Sequence, residues 1–184
     1  MKKLLVLICL GIVVIVAGQA MAQETTEQWR PIQLSLTPDI AIFDRSTRIK
    51  GFTLGICSEN PQDAFALGIV NGSSRSSAGL SIGVANYADS YAGVQISAFN
   101  YAKENFTGWG VGVANVAKGA MKGLQTGAVN YAGNLSGLQL GAVNYAEKAS
   151  GGVQIGAINI IRENTWSDFP NGLGPGMIIF NWRF

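Results

Sequence analysis

Gly137-Leu-Gln-Leu-Gly-Ala-Val-Asn-Tyr-Ala146 returns along the chain almost unchanged. Gly123-Leu-Gln-Thr-Gly-Ala-Val-Asn-Tyr-Ala132 precedes it, and Gly152-Val-Gln-Ile-Gly-Ala-Ile-Asn-Ile-Ile161 follows it. The asparagines of the phrase are Asn71, Asn86, Asn100, Asn115, Asn130, Asn144 and Asn159, spaced by 15, 14, 15, 15, 14 and 15 residues. A fixed short period means one small structural unit used repeatedly, and it decides the fold before any single residue does.

Each phrase has the spacing of a strand. Read with unbroken alternation, Leu138, Leu140, Ala142 and Asn144 share one face, and Gly137, Gln139, Gly141, Val143 and Tyr145 share the other. A helix over the same residues would carry too many glycines and gain no coherent apolar stripe. Short segments rich in Gly, Asn, Asp, Ser and charge separate the phrases, such as Lys103-Glu104-Asn105 and Gly133-Asn134. These are turn chemistries. Weaker copies at 51–57 and 64–71, a leading strand at 32–36 and a closing strand at 177–184 bring the expected total to about ten strands. Thr37 to Lys50 and Arg162 to Pro175 are the long connections, and the first has room for a further short strand at 39–43.

The ends of the chain add compartment. Lys2 and Lys3, the apolar run Leu4 to Ala17 and Ala20-Met21-Ala22 have the form of a secretory signal peptide, residues 1–22, leaving one repeat-built β domain at 23–184. Removing the leader takes away two of the 13 Lys+Arg and leaves them balanced against the 11 Asp+Glu. No basic stripe remains to favour nucleic acid. Of two cysteines only Cys57 remains, so no internal disulfide is expected. At the other end Ile178, Phe180, Trp182 and Phe184 alternate on one face and resemble the terminal strand of a bacterial outer-membrane barrel.

Two all-β architectures fit the period. The first is an up-and-down antiparallel outer-membrane-type β-barrel, one strand per repeat, with the Leu138 face toward lipid and the Gly/Gln/Tyr face filling a narrow interior. The alternative is a parallel β-solenoid of 14–15-residue coils in which identical residues stack. The barrel is the first expectation, because a membrane strand needs ~9–11 residues and the turns are short.

The repeats resemble a family of bacterial surface repeat proteins built from Gly-x-Gln-x-Gly-x-x-Asn units. The likeness spans nearly all of the chain after the leader, from Trp29-Arg-Pro-Ile-Gln-Leu-Ser-Leu36 to Asn-Trp-Arg-Phe at 181–184. This chain departs from the pattern at Ser81, Ser97, Gly110 and Thr126, one position per repeat. The resemblance implies a surface location and carries little knowledge of function.

Chemistry is sparse. The chain has no histidine, the commonest general base and neutral metal ligand. The acids are scattered in loops, and Gly108-Trp-Gly-Val-Gly112 lacks the strand-to-helix context of a phosphate loop. No catalytic, cofactor-binding or metal-ligating residue is expected, and the chain reads as a non-enzyme. The repeat-defining amides are placed with Gln95, Gln125, Gln139 and Gln154 on the face opposite Asn100, Asn130, Asn144 and Asn159. Their reading is structural, as buried amides satisfying one another; the sharper alternative is a polar lumen of a narrow porin. Trp166 and Phe169, within the polar stretch 163–172, form a possible contact loop. The expected function is that of a barrel in the outer membrane or at the cell surface of a Gram-negative-type bacterium, structural, adhesive or passively permeable. Its expected partners are the lipid bilayer and a protein or glycan at the surface. The alternative is a secreted or surface-attached solenoid acting as a binding surface.

Overall fold

A computed structural model describes residues 29–184. The leader expected at 1–22 lies outside the described residues. The chain is all-β, but it winds as a parallel solenoid of about eight coils and not as a barrel. Its strands are β1 (Trp29–Thr37), β2 (Ile40–Ala41), β3 (Arg48–Glu59), β4 (Asp63–Gly72), β5 (Ser77–Ile82), β6 (Ala85–Ala88), β7 (Tyr91–Ile96), β8 (Phe99–Ala102), β9 (Phe106–Val111), β10 (Ala114–Thr126), β11 (Val129–Leu140), β12 (Val143–Ile161) and β13 (Gly176–Arg183).

The coil from Tyr91 shows the unit. Six residues of β7 form a long face, Ser97-Ala98 turn a tight corner, four residues of β8 form a short face, and Lys103 to Asn105 turn a polar corner. In β10, β11 and β12 the chain runs through the polar corner without losing its strand pairing, so one strand serves both faces. Long-face strands stack β5 on β7 on β9 on β10, and short-face strands stack β6 on β8 on β10. All these pairings are parallel and in register: Asn86 faces Asn100, Asn100 faces Asn115, and Gln125 faces Gln139.

The physical reason that the barrel fails is the corner inside the phrase. Gly141-Ala142 separates β11 from β12, so the ten residues are two short strands at an angle. The corner also shifts the alternation by one. Gln139 and Asn144 therefore both point inward, whereas unbroken alternation had set them on opposite faces. Leu138 and Leu140 do lie outside, as a barrel would also have them. The tyrosines expected to fill a barrel interior instead stand half-buried on the outer side of the short face, where Tyr131 stacks on Tyr145 at 5.4 Å.

The two glycines of the phrase have different causes. Gly123 sits at φ 117°, closed to side-chain-bearing residues, and a Cβ there would lie 2.2 Å from the Gly108 carbonyl oxygen of the preceding coil. Gly141 has no such backbone demand; its Cβ would lie 2.2 Å from the Gly127 oxygen and 2.6 Å from Asn130 Nδ2. It clears space for the amide beneath it.

Both ends are closed by antiparallel strands. β2 pairs with β1, realising the short strand expected within 39–43, and Gln33 extends that cap by exchanging hydrogen bonds with the Phe43 backbone. β13 pairs with β12, so the aromatic closing strand exists but serves as a lid on the last coil and not as a barrel seam. The register slips between Gly156 and Asn159, with Ile179 at φ 71°. Ile178, Ile179 and Phe180 are in consequence all exposed, against the simple alternation read from the sequence. Such lids keep open strand edges from templating further chains.

Gly123→Ala tests the stacked glycine column. Strained backbone and a blocked carbonyl should together cost about 3 kcal/mol or more, read as a lower denaturation midpoint. Gly151→Ala, whose Cβ meets nothing within 4 Å, carries only the backbone part and should cost less.

Candidate binding surface

The interior of each coil is divided. Near the polar corner lies an apolar core built from Ala88, Ala102, Tyr91, Phe106, Met121 and Leu135 with their stacked equivalents. Near the tight corner the interior is amide. Each asparagine donates from Nδ2 to Oδ1 of the next: Asn71 to Asn86 at 2.9 Å, Asn86 to Asn100 at 3.1 Å, Asn100 to Asn115 at 2.9 Å, Asn115 to Asn130 at 2.9 Å, Asn130 to Asn144 at 2.9 Å and Asn144 to Asn159 at 2.8 Å. The second N–H of each donor reaches the carbonyl that ends the next coil's long-face strand, as from Asn130 to Leu140 at 2.9 Å. Buried polar groups are tolerable when satisfied, and from Asn86 onward this column satisfies each Oδ1 itself.

The glutamine column runs the other way. Gln139 donates to Gln125 and Gln154 donates to Gln139, each at 2.8 Å. Gln95, the fourth repeat-defining glutamine, is separated from them by Gly110, and its Oε1 makes no hydrogen bond within the chain. Below it the column narrows to Ser81 and Ala66. There a cavity of about 20 Å³ opens, room for about one water. Asn71 and Gln95 are among its lining residues, and Asn71 Oδ1 and Gln95 Oε1 are both buried without a protein donor. The amides thus form two columns inside the solenoid, and no lumen runs along them.

With amides inside, aliphatic side chains stand outside. Around the tight corner three outward columns run the length of the solenoid. One is the long-face column from Leu54 to Ile155, one the corner column from Ile56 through Val84 and Val113, and one the short-face column from Cys57 through Phe99 to Val143. From the coil of Leu54 to that of Ile158 no charged residue enters them. Thr126 is their one hydroxyl-bearing residue, and its Oγ1 accepts the indole N–H of Trp109 at 3.1 Å. Val113 is 57% and Phe99 58% exposed. About 34 Å long and ~17 Å in girth, the ridge has roughly 600 Å², from strand spacing and residue rise. That is the top of the range for the largest apolar patch on a monomer, and such patches are often functional.

The opposite edge is charged. Asp89, Lys103, Lys118, Glu147 and Arg162 occupy the polar corner, with Lys103 3.7 Å from Asp89. Tyr131 lies between ridge and charge and donates its hydroxyl to Glu147 at 2.6 Å, which pushes the phenol pKa up to about 12. Tyr91, inside the core, is raised by burial alone.

Trp166 and Phe169 are 74% and 70% exposed, as a contact loop requires. They sit on the connection that packs beside the carboxy-terminal lid and lie outside the ridge columns. Asp168 fixes that loop by accepting from Thr165 N at 2.7 Å and from Arg183 at 2.8 Å, and these bonds hold its carboxyl below the ordinary range. Asn60, Asn164 and Asn181, buried amides of the two caps, escaped the sequence reading because they stand outside the period. Their only signal was an amide in a loop or strand with no repeat partner.

Among the described residues no group of three or more His, Cys, Asp or Glu is placed to hold a metal ion. No helix among them is long and apolar enough to cross a membrane. No protein-family model, no curated protein and no solved structure matches the chain.

Two variants probe the columns. Asn130→Ala removes one rung and leaves Asn144 Oδ1 without its donor, so a loss of about 2–4 kcal/mol is expected, read by chemical denaturation. Gly110→Gln should bridge the gap between Gln95 and Gln125 only where space permits. Its Cβ would lie 3.1 Å from Asn115 Oδ1 and 3.6 Å from Phe106 Cζ. The double variant F106L/G110Q, which copies the Leu135–Gln139 arrangement, is expected to melt higher than G110Q alone.

Proposed function

We propose that this chain is an exported, non-catalytic β-solenoid, held at the cell surface, that works as a binding surface. The observation that carries the reading is the uncharged ridge around the tight corner, whose single hydroxyl, on Thr126, is already paired with Trp109. A surface of that kind loses little on being covered and gains from it, because apolar area leaves water without orphaning a donor. The basic start, apolar run and Ala20-Met21-Ala22 site support export. The missing histidine supports a role without acid–base chemistry. Acids near the caps are engaged in structural ion pairs, such as Arg48 with Asp63 and Arg183 with Asp168, each at 2.8 Å.

Carbene footprinting of the protein in its own cell envelope, against the purified protein, tests the reading. Val84, Phe99 and Val113 should be labelled several-fold less in the envelope, while the polar corner near Lys103 is labelled equally. Equal labelling of the ridge in both settings would remove the binding-surface reading. Recovery of an uncleaved chain from the cytoplasm would remove export.

A further inference from the structure

We infer that the ridge takes up the acyl region of a lipid monolayer, so that the solenoid lies on a bilayer with its tight corner sunk into one leaflet. This deepens the binding-surface reading and rests on it. The ridge is convex: it wraps from the long face, around the corner, onto the short face. A rigid partner, a second copy included, lies flat on one face and leaves the corner column in water. Fluid chains cover all three columns together.

The layering across the solenoid supports lipid over any protein. Outermost on the corner are aliphatic residues, with Ile56, Ile69, Val84 and Val113 each more than half exposed. Next on the short face come tyrosines, with Tyr87 in register with Tyr101, and Tyr131, past Val116, stacked on Tyr145. At the same remove on the long face stands Trp109. Beyond these come the charges of the polar corner, and the Tyr131 hydroxyl points from one layer into the next to reach Glu147. Aliphatic, then amphipathic aromatic, then charged is the order of a membrane interface from chains to headgroups to water. The step from ridge to tyrosines is two to three strand residues, ~7–10 Å, which matches the ~5–10 Å insertion of interfacial elements. Charge is mixed on the polar corner, so attraction to anionic lipid is not the driving term, and neutral vesicles should serve.

Flotation of the full chain, purified after export, on large unilamellar vesicles of phosphatidylcholine, and of phosphatidylcholine with phosphatidylglycerol at 7:3, tests this. Both compositions should carry the protein. Brominated lipid chains should quench tryptophan emission. V84K/V113K places two charges in the ridge at exposed sites and should lower partitioning at least tenfold with an unchanged circular dichroism spectrum. F99S, a milder change, should lower it less, and K103E on the far edge should leave it alone. Failure of the wild-type chain to float overturns the inference, as does equal flotation of V84K/V113K. So does a lipid-free dimer that V84K/V113K converts to monomer and that vesicles leave intact, since a second copy is then the occupant. In the last case the ridge is still protected in the footprint, so the binding-surface reading survives while the lipid assignment falls.

Discussion

The asparagine column is the constraint from which the rest of the structure follows. An amide has two N–H donors and one strong acceptor oxygen. Stacked at the coil spacing, each asparagine gives one donor to the next oxygen and the other to the next coil's corner carbonyl. That arrangement demands parallel, in-register pairing, since an antiparallel neighbour would bring a different residue opposite. It holds the period to 14 or 15 residues, the spare residue falling in the polar corner. It also demands small residues beside the column, which is the reason for Gly112, Gly127, Gly141 and Gly156. Where Ser97 replaces that glycine, its hydroxyl joins the column by donating to Asn100 Oδ1 at 2.8 Å.

Filling the interior with amides reverses the usual placement of side chains. Half of each narrow coil is too thin for large aliphatic residues. Leu138, Leu140 and their equivalents therefore stand outside, and the apolar core is confined to the half behind the polar corner, where Phe106, Met121 and Leu135 stack. An inverted cross-section of this kind has a wet edge and a dry edge by construction.

The same inversion limited what the sequence could convey. Alternation identified Gln139 as inward and Leu138 and Leu140 as outward. A membrane barrel and an amide-filled solenoid share that pattern, so alternation alone does not separate them. The discriminating feature was local. Gly141-Ala142 is a corner, and an unbroken strand drawn through it sent Asn144 outward and Tyr145 inward. Gln and Asn at a constant offset in four repeats, Gln95/Asn100, Gln125/Asn130, Gln139/Asn144 and Gln154/Asn159, were the available sign that both serve one interior. The short strand at Ile40–Ala41 was legible from its apolar residues in a turn-rich stretch. The buried amides of the caps were not, because Gln33, Asn60, Asn164 and Asn181 each act once and periodicity carries no information about single events. The ridge was legible residue by residue but not as a surface, since only the stacking turns isolated exposed apolar residues into a stripe.

The two amide columns donate in opposite directions along the axis, asparagine toward the carboxy-terminal lid and glutamine toward the amino-terminal one. Aligned amide dipoles add, and opposed ones offset. From Gln125 to Asn159 the solenoid therefore carries little net axial polarity from its interior, and a coil inserted or deleted there leaves the electrical balance between the ends unaltered. Below Gly110 the situation differs. Ser81 and Ala66 supply no counter-column, so the asparagine column runs unopposed and its negative end, Asn71 Oδ1, is left without a donor from the chain. The amino-terminal coils are thus electrically biased while the carboxy-terminal coils are modular, and growth of the fold by duplication is least costly in the half where both columns are complete.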